Sequence, residues 1–80
     1  MSEESLDQAL DHARLRRRLP APAARRQIRE GAGVSQIHVA RELGVTRECV
    51  ALWELGARTP RQKLAAYIAL LDRLAREGRS

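Results

Sequence analysis

The feature that most constrains this chain is a helix stop signal placed between two helix start signals. Ser35 and Thr46 belong to the residue types that cap helix N-termini, and Gly44 belongs to the type that ends helices. The intervals leave room for two short helices, at about 36–43 and 47–54. The sequence therefore predicts two helices of about eight residues joined by the tight turn Leu-Gly-Val-Thr.

Two further helices are predicted on either side of this pair. Pro22 stands where a first-turn proline fits, and Gly33 is typical of a left-handed helix end, which together give a helix at about 22–31. After Pro60, apolar residues recur at helical spacing and predict a helix at about 61–77. Its inward stripe consists of Leu64, Tyr67, Ile68, Leu71, Leu74 and Ala75.

The N-terminal segment predicts one more helix. Ser5 followed by Gln8 has the spacing of a capping box, which opens a helix at about 6–18 that Pro20 ends. One face of this helix carries Leu6, Ala9, Leu10 and Ala13. No stretch of the chain alternates apolar and polar residues for long enough to indicate a strand, so every strong signal is helical.

Length and composition place these helices in one small domain. A chain of 80 residues is too short for two domains of ordinary size. Since Trp53 and Tyr67 are the only aromatic residues, the core must be aliphatic. We expect an all-α bundle of about four to five helices, with an N-terminal helix at 1–20, a main domain at 21–77 and a tail at 78–80.

Several function classes are excluded by what the sequence lacks. Cys49 is the single cysteine, which precludes an internal disulfide and favours a reducing cytoplasm. The sequence has no nucleophile–base pair, no zinc-site spacing and no phosphate loop, so we expect no enzyme activity, no cofactor and no metal. The longest apolar stretch, 64–71, has eight residues, and the acidic N-terminus is unlike a signal peptide. We therefore expect a cytoplasmic protein without a membrane segment.

The charge balance favours an anionic partner. Fifteen Lys and Arg residues against ten Asp and Glu residues give a net charge of +5, and fourteen of these cations are arginine. Arginine makes bidentate contacts to phosphate and to guanine. Residues 14–30 carry +6, whereas residues 31–60 are neutral, so positive charge flanks a neutral centre. This pattern favours nucleic acid, and an anionic membrane surface is the alternative that charge alone leaves open.

The second of the two short helices has a face suited to DNA. At 100° per residue, Val50 and Trp53 point inward together. A helix that exposes its opposite face near its N-terminus fits a major groove about 12 Å wide. The outward residues, which we expect to contact bases, are Arg47, Glu48, Ala51 and Leu52. The alternative for these four residues is an ordinary solvated helix surface.

The segment from Ser35 to Gly56, followed by Arg58 and Pro60, resembles the Cro/repressor-type (xenobiotic-response-element) helix-turn-helix family. It matches the pattern S-Q-x-x-V-A-x-x-L-G-V-T-x-x-x-V-x-x-W-E-x-G-x-R-x-P without a gap, and the resemblance covers roughly residues 22–75. The resemblance implies a lambda-repressor-like helix-turn-helix bundle to which the N-terminal helix is an addition. It also implies a transcriptional regulator that binds double-stranded DNA, in a bacterial nucleoid or, for a phage protein, in the host cytoplasm.

The same resemblance implies two further roles. Gln36 is expected to contact the DNA backbone, and Arg29 is expected to form an ion pair with Glu54 that braces the motif. Ser35 begins a helix whose unpaired amides and dipole favour a phosphate, although it can equally be a simple helix cap. The expected phosphate contacts are Ser35, Gln36, Thr46, Arg58, Thr59 and Arg61.

Two features outside the motif leave alternatives open. The basic run Arg14, Arg16, Arg17 and Arg18 is either a phosphate clamp or minor-groove arm, or a solvated helix end balanced by nearby acids. The last helix is apolar beyond its inward stripe, at Ala66, Ala69 and Leu70. Either the N-terminal helix or a second subunit covers this surface. We expect a homodimer formed through the C-terminal helix.

A competing function follows from the terminal helices. An antitoxin, or another protein-interaction module, would neutralise or bind a protein partner through them. The N-terminal helix lies outside the resemblance, and the surplus of apolar residues at Ala66 and Leu70 offers such a partner a surface. A DNA-binding regulator and a protein-interaction module are therefore the two functions that the sequence favours.

Overall fold

Five helices and no strand make up residues 3–78, which are the residues that the computed structural model describes. The helices are α1 (Glu3–Arg17), α2 (Pro22–Gly31), α3 (Gln36–Leu43), α4 (Arg47–Glu54) and α5 (Arg61–Glu77). The prediction of an all-α bundle of about four to five helices is confirmed for these residues. Of the predicted tail at 78–80, Gly78 ends α5, and the last two residues lie outside the described residues.

The capping residues and glycines that predict the ends of α2, α3 and α4 are found at those ends in the structure. The Ser35 hydroxyl accepts a hydrogen bond from the His38 amide at 3.2 Å, and the Thr46 hydroxyl accepts one from the Cys49 amide at 3.2 Å. Gly44 ends α3 in the left-handed conformation with φ 68°. Gly33 does the same after α2 with φ 73°. All four predicted boundaries of α3 and α4 are therefore confirmed.

The predicted start of α1 is wrong. The helix begins at Glu3, so Ser5 lies within it and is not its N-cap. A serine inside a helix costs little compared with the hydrogen bonds that another turn adds, so a capping box does not fix a helix start alone. The apolar face predicted for this helix is largely exposed, with Leu6 at 52% and Leu10 at 43% of their full accessible surface.

The core forms where α4 lies against α2, α3 and α5. Val50 and Trp53 of α4 are buried, and the Trp53 ring packs on the Tyr67 ring of α5 with centroids 5.0 Å apart. The rest of the core is aliphatic, as the composition predicts: Val39, Ala40, Leu43, Leu64, Ile68, Leu71 and Leu74. Burial of its apolar side thus holds α4 with its opposite side facing outward.

Within residues 3–78, no helix packs over the side of α5 that carries Ala66 and Ala69. α1 packs on α5, and Arg18, the residue that follows α1, pairs with Asp72 of α5 at 3.6 Å. Even so, Ala66 and Ala69 stay exposed and Leu70 is half-buried. The N-terminal helix therefore does not cover the apolar surplus of α5, which removes one of the two alternatives for that surface.

Within residues 3–78, none of the helices is both long and apolar enough to cross a membrane.

The turn between α3 and α4 gives a test of the fold. We expect Gly44→Ala to lower the free energy of unfolding by about 1–2 kcal/mol, because a side chain at φ 68° is strained. The matched control is Gly31→Ala, which adds a methyl group in open space at the end of α2 and should be neutral or slightly stabilising. Urea unfolding of both variants measures the difference. Equal effects would contradict the role of the left-handed turn.

Candidate nucleic-acid interface

The outward side of α4 carries the residues predicted to contact bases. The side chains of Arg47 and Glu48 are 48% and 71% exposed, and Leu52 is 54% exposed. Ala51 is half-buried and lies on the same side of the helix. These four residues therefore share one surface, opposite the buried Val50–Trp53 side. Ala51 is the least accessible of them.

A chain of hydrogen bonds links α2, α3 and both ends of α4. Arg29 donates to both carboxylate oxygens of Glu54, from Nε at 2.6 Å and from Nη2 at 3.0 Å. Gln36 donates from Nε2 to Glu54 Oε1 at 3.0 Å and accepts at Oε1 from Arg47 Nη1 at 3.1 Å. The ion pair expected between Arg29 and Glu54 is confirmed. The network also connects it, through Gln36, to the first residue of α4.

The two charges at the centre of this network favour each other's ionised form. Burial by itself raises the pKa of Glu54, but the hydrogen bonds from Arg29 and Gln36 outweigh it and lower that pKa below its usual value. The hydrogen bond to Glu54 raises the pKa of Arg29 against the opposing effect of burial. With side chains only 11% and 4% exposed, Arg29 and Glu54 form a buried ion pair.

Beside the network lies an open groove of about 440 Å³. Its walls combine arginines from α2 and α4 with the N-terminal turn of α3, where the unpaired amides and the helix dipole favour an anion. The residues that line it are Arg26, Arg29, Ser35, Gln36, Ile37 and Arg47. Two of the predicted phosphate contacts, Ser35 and Gln36, thus meet Arg47 in one groove.

The other predicted phosphate contacts have mixed outcomes. Thr46, Arg58 and Arg61 are exposed, which leaves their side chains accessible to a backbone phosphate. Gln36 is half-buried, and both ends of its amide already bind Glu54 and Arg47. The prediction for Thr59 is wrong as a surface contact: the residue is 1% exposed because the chain turns inward there before α5.

The basic run near the end of α1 is divided between two environments. Arg14 pairs with Asp11 at 3.3 Å, Arg18 pairs with Asp72, and Arg17 is exposed. Arg16 is not part of a free arm, because it is half-buried and donates from Nη2 to the Thr59 carbonyl oxygen at 2.9 Å. The four arginines therefore do not form a free basic arm, because Arg16 is held against the 58–61 segment.

Sequence reasoning missed the role of Arg25. Only 9% exposed, it donates from Nη1 to the Trp53 carbonyl oxygen at 2.7 Å and from Nε to the Pro20 carbonyl oxygen at 2.7 Å. A cation at the last turn of a helix also interacts favourably with the helix dipole. Arg25 therefore anchors the C-terminal end of α4 to the link between α1 and α2. The one available signal is its place three residues before Ile28, on the inward face of α2.

Comparison of the chain with protein-family models, with curated proteins and with solved structures finds no match.

Proposed function

We propose that the chain is a sequence-specific, double-stranded DNA-binding transcriptional regulator of the Cro/repressor type. In this proposal α3, the turn at Gly44 and α4 act as a helix-turn-helix, and α4 enters the major groove. The observation that carries the proposal is the division of α4 into two sides. Val50 and Trp53 are fixed in the core, while Arg47, Glu48 and Leu52 project outward.

Each outward side chain can make a hydrogen bond or an apolar contact with the edge of a base in the major groove. The Arg47 guanidinium can donate to O6 and N7 of guanine, and the Glu48 carboxylate can accept from the N4 amino group of cytosine. Leu52 offers an apolar contact to a thymine methyl group, with Ala51 beside it. In the free protein Arg47 Nη1 donates to Gln36 and Nη2 lies 3.6 Å from Glu48. To bind guanine, the Arg47 guanidinium would give up these exposed contacts and form hydrogen bonds with the base instead.

Backbone contacts on both sides of α4 would set its position on the duplex. Ser35 and Thr46 lie exposed at the N-termini of α3 and α4, and Arg58 and Arg61 lie exposed between α4 and the first turn of α5. Hydroxyls and guanidinium groups at such places are common donors to phosphate oxygens. A protein that neutralises several phosphates binds DNA with a steep dependence on salt.

Selection of bound duplexes from a random pool, at about physiological salt, tests the proposal. We expect a short sequence motif to emerge and the Arg47→Ala variant to select a relaxed version of it. A palindromic motif would match the homodimer expected through α5, and a single half-site would indicate a monomer. If the bound pool stayed random for the wild-type chain, sequence-specific binding would be ruled out.

A second candidate function is a protein-interaction module such as an antitoxin. Leu6 and Leu10 on α1 are exposed apolar residues, and they favour a partner that buries them. Replacing Leu6 and Leu10 together with glutamine would then abolish binding to the partner while leaving DNA selection intact, because both side chains are exposed. The same double substitution leaves both activities unchanged if α1 has no such role.

A further inference from the structure

A cleft of about 390 Å³ lies between α1 and the 58–61 segment. It collects positive charge from parts of the chain that are far apart in sequence. The lining residues are Ala9, His12, Arg16, Arg58, Thr59, Pro60 and Arg61. Three of these seven are arginines and one is a histidine, while none carries a carboxylate.

The cations in this cleft oppose one another's charge. The pKa of Arg16 is lowered by burial and then by the charges of Arg58 and Arg25. The pKa of His12 is lowered by burial and then by the charges of Arg61, Arg16 and Arg58. Such mutual repulsion is unfavourable in the free protein, and an anion placed among the cations would relieve it.

Two of the residues that line the cleft carry unsatisfied polar groups. Arg16 Nε and Thr59 Oγ1 are buried and have no hydrogen-bond partner among the described residues. Buried polar groups in proteins normally have a partner, so the unpaired Nε donor of Arg16 is an unfavourable feature of the free protein that a ligand oxygen would satisfy. α5 begins next to the cleft after Pro60 without a side-chain cap, which leaves amides of its first turn unpaired.

We propose that this cleft is an oxyanion site that takes a phosphate group, held by His12 and Arg16 of α1 together with Arg58 and Arg61. Arg16 is held in place by its bond to the Thr59 carbonyl oxygen, so α1 brings its guanidinium to the 58–61 segment. The phosphate is either free in solution or part of a DNA backbone, and the second source rests on the proposed function.

His12 gives the site a dependence on pH. Its Nε2 lies 3.4 Å from Arg16 Nη2, and the charged groups that face it are Arg16 from α1 and Arg58 and Arg61 from the 58–61 segment. Burial and then these cations lower the pKa of His12, so the imidazole stays neutral down to a lower pH than usual. A bound dianion favours the protonated imidazole, so affinity must rise as the pH falls through the range in which His12 titrates.

Sulfate is the sharpest probe, because its charge stays constant while His12 titrates. Titration of the full chain with sulfate, followed by NMR of the His12 imidazole ring, should raise the pKa of His12. We expect Arg16→Gln to weaken sulfate binding about tenfold or more, as the loss of a charge-assisted hydrogen bond predicts. Arg58→Gln should do the same, which keeps the test valid if Arg16→Gln unfolds.

Arg73→Gln is the matched control. Arg73 is exposed on α5 and does not line this cleft, so its loss removes one charge without touching the site. If Arg16→Gln and Arg73→Gln changed sulfate binding equally, the protein would be attracting anions through its net charge and the site would be refuted. The site would also be refuted if saturating sulfate left the pKa of His12 unchanged.

Duplex DNA distinguishes the two sources of phosphate. If the site takes a backbone phosphate, Arg16→Gln lowers DNA affinity and its salt dependence more than Arg73→Gln does. If the site takes free phosphate, the two variants bind DNA alike while only Arg16→Gln loses sulfate binding. The sulfate titration needs no DNA, so a failure of the proposed DNA-binding function leaves this inference testable.

Discussion

Replacing Glu54 with alanine is expected to lower the free energy of unfolding by about 3 kcal/mol or more. The Glu54 side chain is 4% exposed and accepts two hydrogen bonds from Arg29 and one from Gln36. Its removal leaves the Arg29 guanidinium nearly buried without a counter-charge, and an unpaired buried charge is far costlier than a lost surface contact. Small domains have about 5–15 kcal/mol of stability in total, so chemical denaturation should show a large shift.

The control for Glu54 is a carboxylate that also pairs with an arginine of α2 but lies on the surface. Glu30 pairs with Arg26, and the two side chains are 53% and 67% exposed. Glu30→Ala should therefore change stability by less than about 0.5 kcal/mol. A loss of similar size in both variants would mean that burial of the Arg29–Glu54 pair is not what stabilises the protein.

Acid titration gives the same pair a second signature. The pKa of Glu54 in the folded protein lies below its usual value, so the unfolded chain takes up a proton at higher pH than the folded one. Glu54 thus contributes stability above its ordinary titration range, and this contribution is lost as the pH falls through the lower, folded pKa. Glu54→Gln should flatten that part of the pH–stability curve.

Arg47→Ala is expected to weaken binding to the selected DNA motif by about 1–3 kcal/mol and to relax the preference at one base pair. The reason is the loss of a bidentate donor on the exposed side of α4. Arg58→Ala should act differently, because a phosphate contact carries no sequence information. It should weaken binding to every duplex alike and reduce the slope of the salt dependence by about one.

Equilibrium binding to the selected motif and to random duplex, each over a range of salt, separates the two kinds of contact. Arg76→Ala, on the last turn of α5, is the control for a general loss of positive charge. If Arg47→Ala weakened motif and random duplex equally, α4 would not be the helix that reads bases. The proposed function would then be reduced to non-specific DNA binding.

The parts of the fold that the sequence predicts are those governed by short-range chemistry. Ser35, Thr46 and Gly44 act on amides and carbonyl groups within a few residues, so the ends of α3 and α4 follow from the sequence alone. The inward side of α4 follows from the spacing of Val50 and Trp53. The Arg29–Glu54 pair spans 25 positions, and it was predicted only because the segment resembles a known family.

The parts that escape prediction depend on contacts between distant segments. Arg25 and Arg26 are adjacent arginines with the same local signals, yet one is buried against α4 and the other is exposed on the surface. Which of them turns inward depends on where the Trp53 carbonyl lies, and this is decided by tertiary packing. The meeting of Arg16 with Thr59 bridges 43 positions and has no signature in either segment.

If α4 reads DNA as proposed, the contacts of its surface also determine which of its positions can change most easily. Glu48 and Leu52 are mostly exposed and substitutions at such positions usually change stability by less than about 0.5 kcal/mol. They can therefore vary freely while the fold is maintained. Arg47 is tied through Gln36 to Glu54, so its replacement alters a network that extends into α2. Under the proposed function, new specificities are thus expected to accumulate first at positions 48 and 52 and later at position 47.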